Sequence, residues 1–265
     1  MQNLLKRSTS GFIYAVVFLS AIIYSLESLL FIVTVFGLFC IYEFGKLIQF
    51  KNSIPYFIFL IIVALLYVKT INNKGIISIL VVALTGSIQM IAYLYSKKRH
   101  YPVTFLQKLD ISIRYLVFSL SFIILIPFAS NSYEPYLLVY TLFLIWSNDS
   151  FAFLIGKNFG KRKLFESVSP KKTIEGFIGG LVFSIITALV IGYYSELLSV
   201  VDWVVIAIIT SIIGTIGDLV ESKFKRQASI KDSGNIMPGH GGLLDRLDSL
   251  LFAAPFVYLY IQFII

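Results

Sequence analysis

The chain has 265 residues, 58% of them hydrophobic and only 14% charged, with a mean hydropathy of +0.87. A water-soluble domain of this length needs far more polar surface, so the composition excludes an ordinary soluble globule and points to the bilayer as solvent. The formal net charge of +8 would suggest nucleic acid in a soluble protein; here the placement of the charges matters more than their sum, and no nucleic-acid partner is expected.

Spanning the hydrocarbon core takes roughly 20 apolar residues as a helix. The first apolar run follows Lys6 and Arg7 and has the outline of a signal peptide. It lacks a small-residue cleavage site and further hydrophobic runs follow, so it is read as a retained first helix. In chain order the apolar segments fall at about 10–26, 28–49, 54–70, 75–96, 112–130, 135–156, 174–195, 200–221 and 246–264. Their apolar runs are continuous rather than alternating, which predicts helices and not a barrel. The fold class is therefore an all-α polytopic membrane protein with about nine transmembrane helices. Residues 1–130 form an N-terminal region of about five helices. Residues 131–265 form a C-terminal catalytic region with loops at 157–173 and 222–245. The single cysteine, Cys40, lies inside an apolar run and cannot form an intrachain disulfide.

Loop charges orient these segments. With the N-terminus in the cytoplasm, all of the 22 Lys and Arg except Lys69 and Lys74 fall on the cytoplasmic side. That is a strong positive-inside bias, and it puts the C-terminus on the opposite side. Glu27, Glu134, Glu196 and Asp202 sit outside, where water solvates them. Asp149, Asp218, Glu221, Asp245 and Asp248 lie at cytoplasmic helix ends, and Glu43 lies within the second helix. Carboxylates near hydrocarbon are costly unless paired, hydrated or metal-bound, so their gathering at one face marks a candidate site.

Asp218, Glu221 and Ser222 are spaced i, i+3, i+4 and share one helix face; Asp245 and Asp248 are one turn apart at the start of the last helix. Carboxylates of this kind can hold Mg²⁺, which binds through a few oxygens and keeps substrate phosphates in its shell. The loop between them is rich in Lys, Arg and Gly. Its basic side chains would neutralise phosphate, Gly239, Gly241 and Gly242 would let backbone N–H groups approach it, and the last helix would present its N-terminal dipole.

The run Ser222-Lys223-Phe224-Lys225-Arg226, then Lys231-Asp232, then His240-Gly241-Gly242-Leu243-Leu244-Asp245-Arg246-Leu247-Asp248 resembles the signature of the phosphatidate cytidylyltransferases, or CDP-diacylglycerol synthases. A second block resembles the same family: Asn148-Asp149-Ser150, Gly156-Lys157, Phe159-Gly160-Lys161, Ser169-Pro170-Lys171-Lys172-Thr173, Glu175-Gly176 and Gly179-Gly180. Both blocks lie in the C-terminal half, while the N-terminal half agrees in hydropathy alone.

The resemblance implies transfer of the CMP moiety of CTP to phosphatidic acid, giving CDP-diacylglycerol and pyrophosphate. It implies Mg²⁺, alone or with a second cation, and it allows a homodimer. Such chemistry needs alignment and charge neutralisation more than covalent help. On this reading Asp218 and Asp245 are metal ligands, with Asp248 and Glu221 in support. Lys225, Arg226, Lys231 and Arg246 bind the triphosphate or the phosphatidate head group, within a signature that also holds Ser222, Asp232, His240, Gly241 and Gly242. Ser169, Lys171, Lys172 and Thr173 form a second phosphate-handling element. Lipid would enter laterally from the cytoplasmic leaflet and CTP from water. A compact chain with no appended soluble domain suggests a bacterial inner membrane.

Plainer roles stand beside these. Lys97, Lys98, Arg99, Lys161, Arg162 and Lys163 read first as topology determinants and anionic-lipid contacts. His240 is either a metal ligand or proton carrier, or a loop residue contacting nucleotide. Asp149 either pairs with a neighbouring helix or belongs to the site. Glu43 either is hydrogen-bonded structurally or lines a lipid cleft. Gly176, Gly179 and Gly180 suggest close helix packing. The 16 Tyr and 24 Phe are mostly lipid-facing or interfacial. Two other functions fit less well: a CTP-dependent enzyme with another lipid phosphate, and an anionic-solute transporter. Against transport, the charges gather at one face instead of the midplane, with no internal repeat or paired interrupted helices.

Overall fold

The computed structural model describes residues 2–97, 100–130, 132–236 and 241–265, with side chains from Thr9 onward. Each predicted apolar segment coincides with helix: α1 Gln2–Tyr24, α2 Leu26–Leu47, α3 Ile54–Tyr67, α4 Asn73–Tyr95, α5 Phe105–Ile111, α6 Phe118–Leu125, α7 Pro135–Phe159, α8 Ile174–Tyr194, α9 Val200–Gln227 and α10 Leu244–Phe263. Among the described residues six helical segments are long and apolar enough to cross a membrane: Leu26–Leu47, Asn73–Tyr95, Phe105–Phe128, Pro135–Phe159, Ile174–Tyr194 and Val200–Gln227. Thr9–Tyr24 and Ile54–Tyr67 are shorter apolar helices. The chain is an integral membrane protein of helical construction.

Three details depart from the sequence reading. The fifth segment starts at Phe105, ahead of the expected 112, and is not uniform: a π-helical turn, Ser112–Val117, joins α5 to α6, and a 3₁₀ turn, Ile126–Phe128, follows. Helix α9 continues to Gln227, so Lys225 and Arg226 lie on its last turn instead of in a loop. The 157–173 connection contains a two-stranded antiparallel hairpin, β1 Lys163–Phe165 and β2 Ser169–Thr173, with Lys163 opposite Thr173. No hydrophobic alternation announces that hairpin, because its residues are mainly polar.

The chain divides into two compact units, with boundaries inside α9 and α10. One comprises Met1–Leu125 with Phe224–Leu247; the other comprises Ile126–Lys223 with Asp248–Ile265. In the first, a Cβ on Gly37 of α2 would overlap the Phe59 ring of α3, and Gly86 of α4 lies against the Arg114 backbone in the π turn. Arg114 donates to Asp110 at 3.2 Å, to Gln89 Oε1 at 3.0 Å and to Thr85 Oγ1 at 2.8 Å, so this cation is neutralised within the unit. The last turn of α9 docks among these helices: the Phe224 ring stands edge-on to Phe44 at 5.4 Å and stacks on Tyr93 at 5.1 Å. Gln227 Oε1 accepts from Tyr93 Oη at 2.8 Å and from the Tyr101 N–H at 3.0 Å.

In the second unit α7 and α8 pack closely over a seam of small residues. A Cβ on Gly176 would stand 2.7 Å from the Ala152 carbonyl oxygen, and one on Gly180 would stand 2.6 Å from that of Asn148. These contacts are to backbone, which cannot swing away, so the glycines set the interhelical distance as the sequence suggested. Gly217 of α9 packs against Phe252 and the Asp248 carbonyl of α10 in the same way. We predict that Gly180→Val lowers the thermal midpoint in detergent by the equivalent of about 1–3 kcal/mol, the usual cost of overpacking. Val at the exposed neighbour Ile178 should leave the midpoint within measurement error.

Candidate active site

The signature residues form a polar cluster in each unit. In the first unit Asp245, in the first turn of α10, is the centre. Its Oδ1 accepts from Lys225 Nζ at 2.6 Å. Its Oδ2 accepts from the Ser233 N–H at 2.9 Å, Ser233 Oγ at 3.0 Å and the Gly242 N–H at 2.7 Å. Side-chain exposure of the ion pair is only 11% for Lys225 and 6% for Asp245, so its charges interact in a protein environment instead of water. Gly241 adopts φ +86°, where an L side chain is strained, and a Cβ there would stand 2.7 Å from Asp245 Oδ2. The glycine therefore allows the loop to close over the carboxylate.

A second carboxylate joins this cluster from the N-terminal region. Glu43 of α2 is fully buried and accepts from the Leu243 N–H at 3.2 Å, the Leu244 N–H at 2.8 Å and Ser233 Oγ at 3.2 Å. The sequence left its role open between a hydrogen-bonded and a lipid-lining one; the structure gives it hydrogen bonds. The sequence suggested Gly239, Gly241 and Gly242 for backbone approach to phosphate; here the Gly242 N–H, with those of Leu243 and Leu244, donates to the protein's own carboxylates. Ser233 and Gly234 escaped the sequence reading. Their only signal was position, between the Lys231-Asp232 pair and the glycine run, with no charge to draw notice.

In the second unit Asp218 of α9 is the centre. Its Oδ2 meets Lys172 Nζ of β2 at 2.6 Å, and its Oδ1 accepts from Ser222 Oγ one turn away at 3.1 Å. Burial disfavours the Lys172 ammonium, but Asp218, with Asp149 and Asp248 adding to the negative field, overrides that and holds the pKa above the usual lysine value. Lys172 is thus a cation held among carboxylates. Asn148 Nδ2 donates to Asp149 Oδ1 at 3.3 Å, and Glu221 and Asp248 are buried.

The hairpin carrying Lys172 is fixed at both ends. Thr173 caps α8, its Oγ1 accepting from the Gly176 N–H at 3.1 Å. The Glu175 carboxylate accepts from the Lys161 N–H at 2.9 Å and the Arg162 N–H at 3.1 Å. Ser169 pairs with Phe165 across the hairpin. Lys171, Arg226, Lys231, Asp232 and Arg246 are exposed to solvent or lipid. His240, with Gly239, lies outside the described residues, as do Lys98 and Arg99.

Cytidylyltransferase is the description of the family whose model matches residues 5–264, and the chain belongs to that family. Among curated relatives it is similar to the phosphatidate cytidylyltransferase of Bacillus subtilis, 48% identical over 120 residues, which is 45% of each chain. It is similar to that of Staphylococcus haemolyticus, 45% identical over 129 residues, 48% of this chain and 50% of the relative. The Haemophilus influenzae enzyme of the same name is 39% identical over 163 residues, 55% of this chain and 57% of the relative. The chain spans about half the length of the curated relatives it matches.

The two ion pairs differ in burial, and stability should follow. Lys225→Met leaves a buried carboxylate without its cation and is expected to cost about 3–5 kcal/mol. Lys172→Met acts on a pair whose side chains keep 27% and 29% exposure, where screening limits the loss to about 1 kcal/mol. Thermal unfolding of the two variants in one detergent checks the order.

Proposed function

We propose that this chain is a phosphatidate cytidylyltransferase: a phosphatidate oxygen attacks the α-phosphorus of CTP, the bond from that phosphorus to the bridging oxygen of the β-phosphate breaks, and pyrophosphate leaves. The observation that carries the reading is Lys172 set 2.6 Å from Asp218 within a field of acidic groups, on the two sequence blocks that resemble this family. Such an arrangement suits a site that handles both cations and phosphates. The attacking oxygen is already anionic near neutral pH, so no dedicated base is needed, and catalysis is alignment with charge neutralisation.

Mg²⁺ fits the donor set, which is composed of hard carboxylate oxygens. This ion usually takes one or two protein carboxylates and completes its shell with water and substrate phosphate. Among the described residues no group of three or more His, Cys, Asp or Glu forms a ready-made metal cage, and Mg²⁺ does not need one. Asp218 and Asp245 are the proposed metal ligands, each within its own unit, with Asp248 and Glu221 in support and a second cation optional. When bound, the ion would neutralise charge on the phosphates. Lys225, Arg226, Lys231 and Arg246 would bind the triphosphate or the phosphatidate head group, and Lys172 would serve the second phosphate-handling element. Ser169, Lys171 and Thr173 would shape the hairpin's phosphate-facing side, and His240 and Asp232 belong to the same signature.

The cellular reading follows from topology. With nine crossings, an N-terminus in the cytoplasm and a C-terminus opposite, the acidic helix ends would lie at the cytoplasmic face of a bacterial inner membrane. The positive-inside bias and the bacterial relatives support it. A homodimer belongs to the same reading and rests on the family resemblance alone.

Purified protein in detergent should form CDP-diacylglycerol and pyrophosphate together, only with phosphatidic acid, CTP and Mg²⁺ all present, and should stop on chelation. Asp218→Asn and Asp245→Asn should each lower turnover by on the order of 10²-fold or more, the scale of a lost electrostatic stabiliser. Turnover with a different lipid phosphate only would change the assigned substrate. Wild-type turnover by Asp245→Asn at saturating Mg²⁺ would remove Asp245 from the metal site.

A further inference from the structure

A buried carboxylate in the N-terminal helices is joined to the signature loop from nearly two hundred residues away. Glu43 lies near the end of α2, fully buried. An apolar surround of this kind makes an unpaired carboxylate costly. It is satisfied by the N–H groups of Leu243 and Leu244, at the start of α10, and by Ser233 Oγ. A helix has no internal acceptors for its first N–H groups, and its dipole favours an anion there, so Glu43 acts as an N-terminal cap supplied by another helix.

The same Ser233 hydroxyl lies 3.2 Å from Glu43 Oε2 and 3.0 Å from Asp245 Oδ2. One hydroxyl proton thus serves two carboxylates. Asp245 in turn takes the Gly242 N–H, next in line before Leu243. The cradle is tight: a Cβ on Gly234 would overlap Glu43 Oε1, and a Cβ on Gly242 would overlap Ser233 Oγ and Glu43 Oε2. Loop, helix start and both carboxylates therefore have one mutual arrangement, and Glu43 is the member that comes from outside the signature.

We propose that Glu43 is a positioning residue for the transfer reaction: through the Leu243 and Leu244 amides and the shared Ser233 hydroxyl, it fixes the signature loop and the orientation of the Asp245 carboxylate. The inference rests on the proposed reaction for its kinetic consequence, and on geometry alone for the clamp itself. Glu43 touches no substrate in this account. Its effect passes through Ser233 and the α10 N-terminus. Misplacing a reacting arrangement by about 1 Å can cost on the order of 10²-fold in rate.

The test uses full-length wild type, Glu43→Gln, Ser233→Ala and the double variant, each in detergent with CTP, phosphatidic acid and Mg²⁺. Two readouts are taken: kcat, and hydrogen–deuterium exchange of the peptide spanning 241–247. Glu43→Gln should lower kcat by roughly 10–100-fold and speed exchange in that peptide. The double variant should be little worse than the weaker single one, since both act through the same carboxylate. Simple loss of stability would instead lower the folded fraction and leave kcat per folded molecule unchanged, with independent effects in the double variant; that result would overturn the proposal. If Glu43→Gln does not fold, Ser233→Ala alone decides: unchanged kcat and unchanged exchange reject the role. If wild type shows no turnover, the reaction assignment fails, and exchange alone then decides the clamp: faster exchange in Glu43→Gln upholds it, unchanged exchange rejects it.

Discussion

A carboxylate held away from water must be met by a cation or by hydrogen-bond donors, and the polar half of this protein is arranged around that requirement. Asp245 has Lys225 on one oxygen and three donors on the other. Asp218 has Lys172 and Ser222. Glu43 is met by two main-chain N–H groups and a hydroxyl. The three solutions draw on different parts of the chain, so satisfying the charges also fixes the fold. The hairpin is tied to α9 through Lys172, and the loop after α9 is tied to α2 through Glu43.

Apolar packing supplies the frame in which those charges are held. In a bilayer, lipid is as apolar as any side chain, so helices associate by close fit and not by escape from water. That is why glycines recur at the crossings: Gly176 and Gly180 between α7 and α8, Gly217 between α9 and α10, Gly37 between α2 and α3. Close approach leaves little freedom at the helix ends, where the functional side chains are carried. Thr173 illustrates the link. It caps α8, closes the hairpin opposite Lys163, and directly follows Lys172.

The distribution of charge also separates enclosed from accessible parts. Lys225 and Asp245 are nearly enclosed, whereas Lys171, Arg226, Lys231 and Arg246 are exposed. Long cationic side chains at the surface keep their charged ends accessible to solvent or a lipid head group. Enclosed pairs do not. The proposed nucleotidyl transfer to a membrane lipid would call for both: fixed groups for the reacting phosphorus, accessible ones for capture of two unlike substrates.

The sequence by itself determined the solvent, the helix positions and the identity of the charged helix ends. Continuous apolar runs and the i, i+3, i+4 spacing of Asp218, Glu221 and Ser222 are local properties that survive in any tertiary setting. Family membership was legible too, because the signature is long and holds many polar residues at set spacings. Tertiary structure decided what each charge faces. No local pattern links Lys172 to Asp218, or Glu43 to Leu244, since those contacts join residues far apart in the chain. The hairpin was hidden because a short polar strand has no periodicity to read. The end of α9 was misjudged because Lys225 and Arg226 look like loop residues by charge, although one of them is buried against an aspartate. Spacing along a chain reports which residues share a face; only packing reports what that face meets.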